Sequence, residues 1–265
     1  MTDTAASEPL LSCRDVSKRF GALAAVNNLS FDVFPGEILG IGGPNGAGKT
    51  TLFEVISGLG PATAGRVIFN GADITQLAPE AVCHAGIART FQLNASFESL
   101  SVRDNVRVAA YFGRHNRAYS GLRIGSEVEE RTTDALNTVG LTARDDEIAG
   151  ALPVLDRKLL MLAGALATAP KLLLMDEPVG GLNAREIDRM MEAVRRVASG
   201  GVTIILIEHV MRFLVQLSTR VMIMHHGERI FEGSPQGMAK NRTVVDVYLG
   251  EGASQRLGKL LEAQL

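Results

Sequence analysis

Short apolar runs separated by turn residues recur over the first 70 positions. The runs at 29–33, 37–41 and 66–69 have the length and flanks of strands. From Asp104 to about Gly150 the pattern changes to helical spacing with higher charge, as in the helix predicted over 127–139. Strand and helix then alternate. The pattern predicts a buried strand at 171–175, a helix at 184–198, a strand at 202–207, a helix at 209–217 and a strand at 220–225. Such alternation predicts an α/β fold with a mainly parallel sheet covered by helices. The middle segment then reads as a helical insertion between two parts of one core.

Composition narrows the class. A chain of 265 residues can bury a sizeable core, and 46% hydrophobic with 21% charged residues is an ordinary globular balance. A net charge of -2 gives no reason to expect nucleic acid as a partner. Cys13 and Cys83 lack CxxC spacing, which argues against a zinc site or a disulfide framework and fits a reducing compartment. The polar, acidic N-terminus is unlike a signal peptide. The longest apolar tract, 159–175, is interrupted by Pro170 and Lys171, so no membrane span is expected and any membrane role must come through partners.

Two motifs carry chemistry. Gly43, Pro44, Asn45, Gly46, Ala47, Gly48, Lys49 and Thr50 match GxxxxGK[ST], between a predicted strand at 37–41 and a predicted helix at 50–56. Glycines let backbone N–H groups turn toward phosphate, and the helix N-terminus adds partial positive charge. Lys49 is placed to reach the β- and γ-phosphates of ATP, the Thr50 hydroxyl to ligate Mg²⁺, and Thr51 to lie beside the nucleotide. The second motif is an apolar strand ending in Asp176 and Glu177. Strand alternation would send these carboxylates to opposite faces. Asp176 would then hold magnesium through its water shell, while Glu177 would polarise the attacking water.

With these motifs the chain resembles the ATP-binding cassette (ABC) family over nearly its whole length. The resemblance implies a P-loop NTPase (RecA-like) core with an antiparallel β subdomain and an inserted α-helical subdomain. The expected division is 1–92 for the first part of the core, 93–158 for the helical subdomain, 159–250 for the second part and 251–265 for a helical tail. Gln92, in Ala88-Arg89-Thr90-Phe91-Gln92, resembles the family glutamine that touches Mg²⁺ and water and whose loop meets the membrane subunit. His209 resembles the switch histidine at the γ-phosphate. Phe20 resembles the aromatic that stacks on adenine, with core packing as its rival. Gly180-Gly181-Leu182-Asn183 resembles the loop across the dimer seam, with Asn183 where Asp is usual.

Several strings are similar to the branched-chain amino acid importer ATPases of the LivG type. They are Arg19-Phe20-Gly21, Ala25-Val26-Asn27-Asn28, Ala88-Arg89-Thr90-Phe91-Gln92, Glu208-His209 and Tyr248-Leu249-Gly250. That resemblance implies transmembrane permease subunits, a second, non-identical ATPase subunit and, indirectly, a solute-binding protein. It places the chain peripherally at the cytoplasmic face of the inner (plasma) membrane. A cassette for another small solute remains an alternative, as does an ATP-binding regulatory or assembly cassette with little turnover. A cassette of DNA repair or translation is a third class, disfavoured by a single phosphate loop and the absence of basic bias.

One segment departs from the family. Twenty-four residues before Asp176, where LSGGQ is expected, the chain reads Leu152-Pro153-Val154-Leu155-Asp156. Pro153 has no N–H, Val154 and Leu155 bring bulk where glycine allows close approach, and Asp156 brings negative charge near a polyphosphate unless it turns away. The usual arginine of the following helix is Gly164. The expectation is a competent ATP site in this chain and a weak signature offered to its partner. The arginines at 103, 107, 114, 117 and 123 read either as a solvated helix face or as a basic face toward membrane or permease.

Overall fold

In a computed structural model the described residues are 8–90, 96–113 and 125–250. The centre is a six-stranded sheet ordered β10-β9-β3-β8-β7-β6. Its strands are β3 (Ile38–Gly42), β6 (Ile87–Thr90), β7 (Leu172–Asp176), β8 (Thr203–Ile207), β9 (Arg220–His225) and β10 (Glu228–Gly233). All neighbours are parallel except the β9–β10 hairpin. Strands β3, β7 and β8 are buried along their whole length, as expected of parallel strands covered on both faces.

Side-chain alternation divides the core into two layers. Leu39, Ile41, Leu172, Leu174, Ile205, Ile207, Met222 and Met224 pack on one face. There they meet helix α1 (Lys49–Ile56) and a second, four-stranded antiparallel sheet ordered β2-β1-β4-β5. That sheet consists of β1 (Leu11–Phe20), β2 (Leu23–Val33), β4 (Ala64–Phe69) and the short β5 (Ala72–Asp73). Leu173, Met175, Ile204, Leu206, Val221 and Ile223 face the other way, toward the remaining helical core.

Helix α2 (Pro79–Ala85) leads into β6. Between β6 and β7 the chain forms α3 (Val102–Phe112), α4 (Ser126–Val139) and α5 (Val154–Ala167), which pack on one another through Val106, Ala110, Leu136, Val139, Leu155 and Leu159. Ser101 caps α3 by accepting the Asp104 N–H at 3.0 Å. Helix α5 runs unbroken through residue 158, so a boundary drawn there would cut it. The longer helices that follow are α6 (Ala184–Ser199), α7 (Met211–Leu217) and α8 (Pro235–Lys240), and a short helix, α9 (Arg242–Val244), comes after them. Helix α7 begins two residues later than the sequence pattern predicts, because His209 and Val210 direct their N–H groups to the Glu208 carboxylate.

Arg103 pairs with Asp145 at 2.6 Å, and Arg107 with Glu129 at 2.7 Å. These two arginines therefore tie the helices together; Arg114, Arg117, Arg123 and the tail at 251–265 lie outside the described residues. Among the described residues no helix is long and apolar enough to cross a membrane.

Candidate functional site

Parallel order brings the carboxyl ends of β3, β8 and β7 side by side at one edge of the sheet, where ligands of open α/β sheets bind. The phosphate-binding loop leaves β3. Two of its glycines have physical necessity: Gly43 has φ 143 and Gly48 φ 96. A Cβ on Gly43 would lie 2.2 Å from the Met224 carbonyl oxygen, and one on Gly48 2.0 Å from that of Ala25. The loop is also stitched to the β9–β10 turn, where the Gly227 N–H donates to the Ala47 carbonyl at 3.0 Å.

Lys49 opens α1 and is 6% exposed. Its ammonium donates to the carbonyls of Gly43 at 2.8 Å and Pro44 at 2.9 Å. Burial lowers its pKa below the ordinary lysine value, opposed by the carboxylates of Glu177 and Asp176. Thr50 is exposed and Thr51 half-buried on the first turn. No side chain caps α1, so its first N–H groups face the cleft as an anion site.

Asp176 ends β7 in register with Ile207 of β8. It is buried, and Arg89 Nη2 donates to its Oδ2 at 2.9 Å. Burial raises its pKa, and the Arg89 bond opposes that. The other oxygen, Oδ1, is buried without a hydrogen-bond partner. Glu177 then adopts φ 48, a left-handed conformation costly for a residue with a side chain. The strand-alternation argument therefore does not describe Glu177: its direction is set by this turn, after the strand has ended. His209 Nε2 lies 2.9 Å from Glu177 Oε1.

A cleft of about 440 Å³ has the loop residues from Asn45 to Thr51 along one wall, with Phe20, Glu177 and His209 on the others. Phe20 is 53% exposed, so core packing does not explain it. Gly43 and Pro44 sit behind the loop as acceptors for Lys49. Gln92 lies outside the described residues. Three side chains that sequence reasoning did not single out join the site. His226, at the β9–β10 turn, lines the cleft; Arg89 holds Asp176; and Glu208 binds the backbones on either side of it. The sequence signal for Glu208 was a carboxylate at the end of an otherwise apolar strand.

The divergent segment has a clear geometry. Leu152 and Leu155 are core residues, Pro153 occupies the position before α5 without a side-chain cap, and Val154 is 52% exposed. Arg157 folds back onto the carbonyls of Leu152 and Gly150, each at 2.8 Å. Asp156 is 3% exposed and turned inward, with Arg189 at 3.3 Å and Arg144 at 3.5 Å. Its charge is thus matched inside the chain. We expect Asp156→Ala to cost about 1 kcal/mol, because it empties a buried site and removes two ion pairs whose arginines are 42% and 57% exposed and so screened by solvent. A thermal melt should show a loss of roughly 2–4 °C; an unchanged melt would mean these pairs contribute nothing. Asn183 caps α6 in a capping box, its side chain accepting from Arg185 and Glu186. Asn caps a helix about as well as Asp.

Comparison with known proteins agrees with this geometry. The family model described as ABC transporter matches residues 26–180. The chain is 33% identical to the high-affinity branched-chain amino acid transport ATP-binding protein LivG of Escherichia coli (strain K12), over 92% of this chain and 99% of that protein. It is 31% identical to BraF of Pseudomonas aeruginosa, described in the same words, with the same coverage. Among solved structures, a nucleotide-free ATP-binding cassette from an ABC transporter superposes with a TM-score of 0.82 at 29% identity, covering 92% of this chain and 100% of that one. The ADP conformation of the cassette MJ1267 gives 0.83 at 29% identity and the same coverage. The phosphate loop, Glu177 and His209 meet in one cleft, on the fold of those cassettes. The chain belongs to the ABC transporter family, as an ATP-binding subunit of its ATPases.

Proposed function

We propose that this chain hydrolyses ATP to drive import of branched-chain or related amino acids, as one of two non-identical cassettes beneath transmembrane permease subunits. A solute-binding protein would act indirectly through those subunits. The chain would sit peripherally at the cytoplasmic face of the inner membrane. Similarity to LivG along 99% of that protein's length is the observation that carries the solute assignment.

The proposed chemistry is in-line attack of water on the γ-phosphorus: a water oxygen–phosphorus bond forms as the bond to the β,γ-bridging oxygen breaks. Lys49 exchanges its loop carbonyls for phosphate oxygens, joined by loop and α1 N–H groups. Glu177 orients the water and draws on its proton, and His209, 2.9 Å away, holds that carboxylate and reaches the γ-phosphate. Phe20 offers adenine an exposed ring. Mg²⁺ fits the donors present, since Asp176 has a buried oxygen without a partner and Thr50 an exposed hydroxyl. Thr50, Asp176 and Gln92 would hold it, and its chemistry there is neutralisation of phosphate charge.

The partner cassette supplies the signature that completes this ATP site. In return, this chain offers the partner Pro153 and Val154, without a hydroxyl or glycine donor. Loss of one such donor costs ~3 kcal/mol, roughly 100- to 1000-fold in rate. We place the permease contact at an apolar cleft of about 340 Å³ that includes Thr90 and Ser96, walled by Leu59, Cys83, Val108, Met161 and Gly164. Core boundaries near residues 92 and 152 suit this reading better than one inside α5.

The test is uptake in the native cell. Deleting this chain should lower high-affinity uptake of labelled leucine, isoleucine and valine about tenfold or more. Re-expression should restore it and Glu177→Gln should not. Unchanged uptake of all three, with loss of a different solute, would replace the substrate and keep the ATPase.

A further inference from the structure

Glu208 is the most deeply buried acid of the site, 1% exposed at the end of β8. It is absent from the walls of the nucleotide cleft. Its Oε1 accepts the Val179 N–H at 2.9 Å, and its Oε2 accepts the N–H groups of His209 at 2.9 Å and Val210 at 3.0 Å. One carboxylate therefore gathers three backbone donors from two loops. The first loop carries Glu177 two residues before Val179 and leads to Asn183 four residues after it. The second carries His209 itself.

The strands alone do not fix these loops. Register between β7 and β8 ends at Asp176 and Ile207, followed by a single further bond from the Glu177 N–H to the Ile207 carbonyl at 2.9 Å. Beyond that point Glu177 turns left-handed at φ 48. The 2.9 Å contact between Glu177 and His209 thus lies past the last ladder bond, and Glu208 is the group that binds both loops there. Burial raises its pKa, the three N–H donors oppose that, and the nearby Glu177 charge adds to the rise. Retaining an acid in this position is physically reasonable only while all three donors engage it. No amide can replace it fully: glutamine has one acceptor oxygen, and its NH₂ would confront at least one backbone N–H.

We infer that Glu208 is a positioning residue that aligns His209 with Glu177 and couples that pair to the loop leading to Asn183. The inference rests on the hydrolytic reading of the site. Glu208 works through backbone, holding the imidazole where it meets Glu177. A change at either loop is transmitted to the other through one rigid carboxylate.

The experiment compares Glu208→Gln, His209→Ala and the double variant with the wild-type chain, in the assembly that hydrolyses ATP. Melting temperature and equilibrium ATP binding are measured beside the kinetics. Glu208→Gln should lower kcat about 10- to 100-fold, with KM and ATP affinity within about twofold. In the His209→Ala background the same substitution should add less than about threefold, since the group through which it acts is gone. Glu208→Asp keeps the charge but is one methylene shorter, and should fall between wild type and the glutamine variant. Wild-type kcat in Glu208→Gln, or losses that multiply fully in the double variant, would overturn the inference. So would a loss of folding in both Glu208 variants, which would make the residue a stability element. Retained turnover in Glu177→Gln would instead overturn the hydrolytic reading, so the two failures are distinguishable.

Discussion

Glu177→Gln is expected to cut ATP turnover about 10²- to 10⁴-fold while leaving ATP binding nearly intact. The substitution keeps size and shape, and the amide oxygen can still accept from His209 Nε2, which lies 2.9 Å from the carboxylate. What it removes is the negative charge that orients water and draws on its proton. A positioned base contributes ~10²- to 10⁴-fold, so phosphate release should fall by about that factor. Binding should be spared, because the proposed phosphate contacts are those of Lys49, the loop N–H groups and the α1 N-terminus, none of which contains Glu177. Phosphate release with equilibrium nucleotide binding checks both halves. A variant that keeps a tenth of the wild-type rate would assign the base elsewhere.

Lys49→Ala should instead fail at binding. The ammonium is 6% exposed and donates to the carbonyls of Gly43 and Pro44. On the proposed reading those bonds would be exchanged for phosphate contacts when ATP enters, so the lysine is positioned before binding. Hydrogen bonds to charged groups contribute ~1.5–3 kcal/mol each. Losing two would weaken ATP by roughly 10²- to 10⁴-fold. Removing this cation also withdraws the charge that counters Glu177 and Asp176. Lys49→Arg should rescue little, because a planar guanidinium does not fit a buried point-charge site. Calorimetric titration with a slowly hydrolysed ATP analogue measures the loss; affinity within threefold of wild type would contradict the assignment.

The phosphate loop was legible because its chemistry is local: Gly43, Gly48, Lys49 and Thr50 must follow a strand and open a helix. The alternating strands were legible for the same reason, and β9 lies where the pattern put it, at Arg220–His225. Tertiary pairing was not. Nothing in the chain reveals that Asp176 stands opposite Ile207, the register that delivers His209 to Glu177. The left-handed turn at Glu177 overrode strand alternation. Asp156 read as a repulsive charge, since the arginines that receive it, Arg144 and Arg189, are separated from it by 12 and 33 residues. Arg103 and Arg107 read either as a solvated helix face or as a basic face toward membrane or permease, because two of the acids that receive them, Asp145 and Glu129, lie on later segments. Glu208 appeared only within the string Glu208-His209; its three donors come from loops that the fold alone brings together.

Pro153 and Val154 at the head of α5, without a hydroxyl or a glycine donor, are the basis for regarding the segment as unable to complete a partner's site; Asp156 turns inward and adds no repulsion there. Steady-state hydrolysis by this chain alone, across a range of concentrations and against the Glu177→Gln blank, tests the point directly when repeated with an equimolar cassette of intact signature. The account predicts that the chain alone binds ATP yet stays near the blank, and that the mixture turns over roughly 100- to 1000-fold faster. A chain that alone hydrolyses ATP as fast as the mixture, at a rate rising with its concentration, would contradict it.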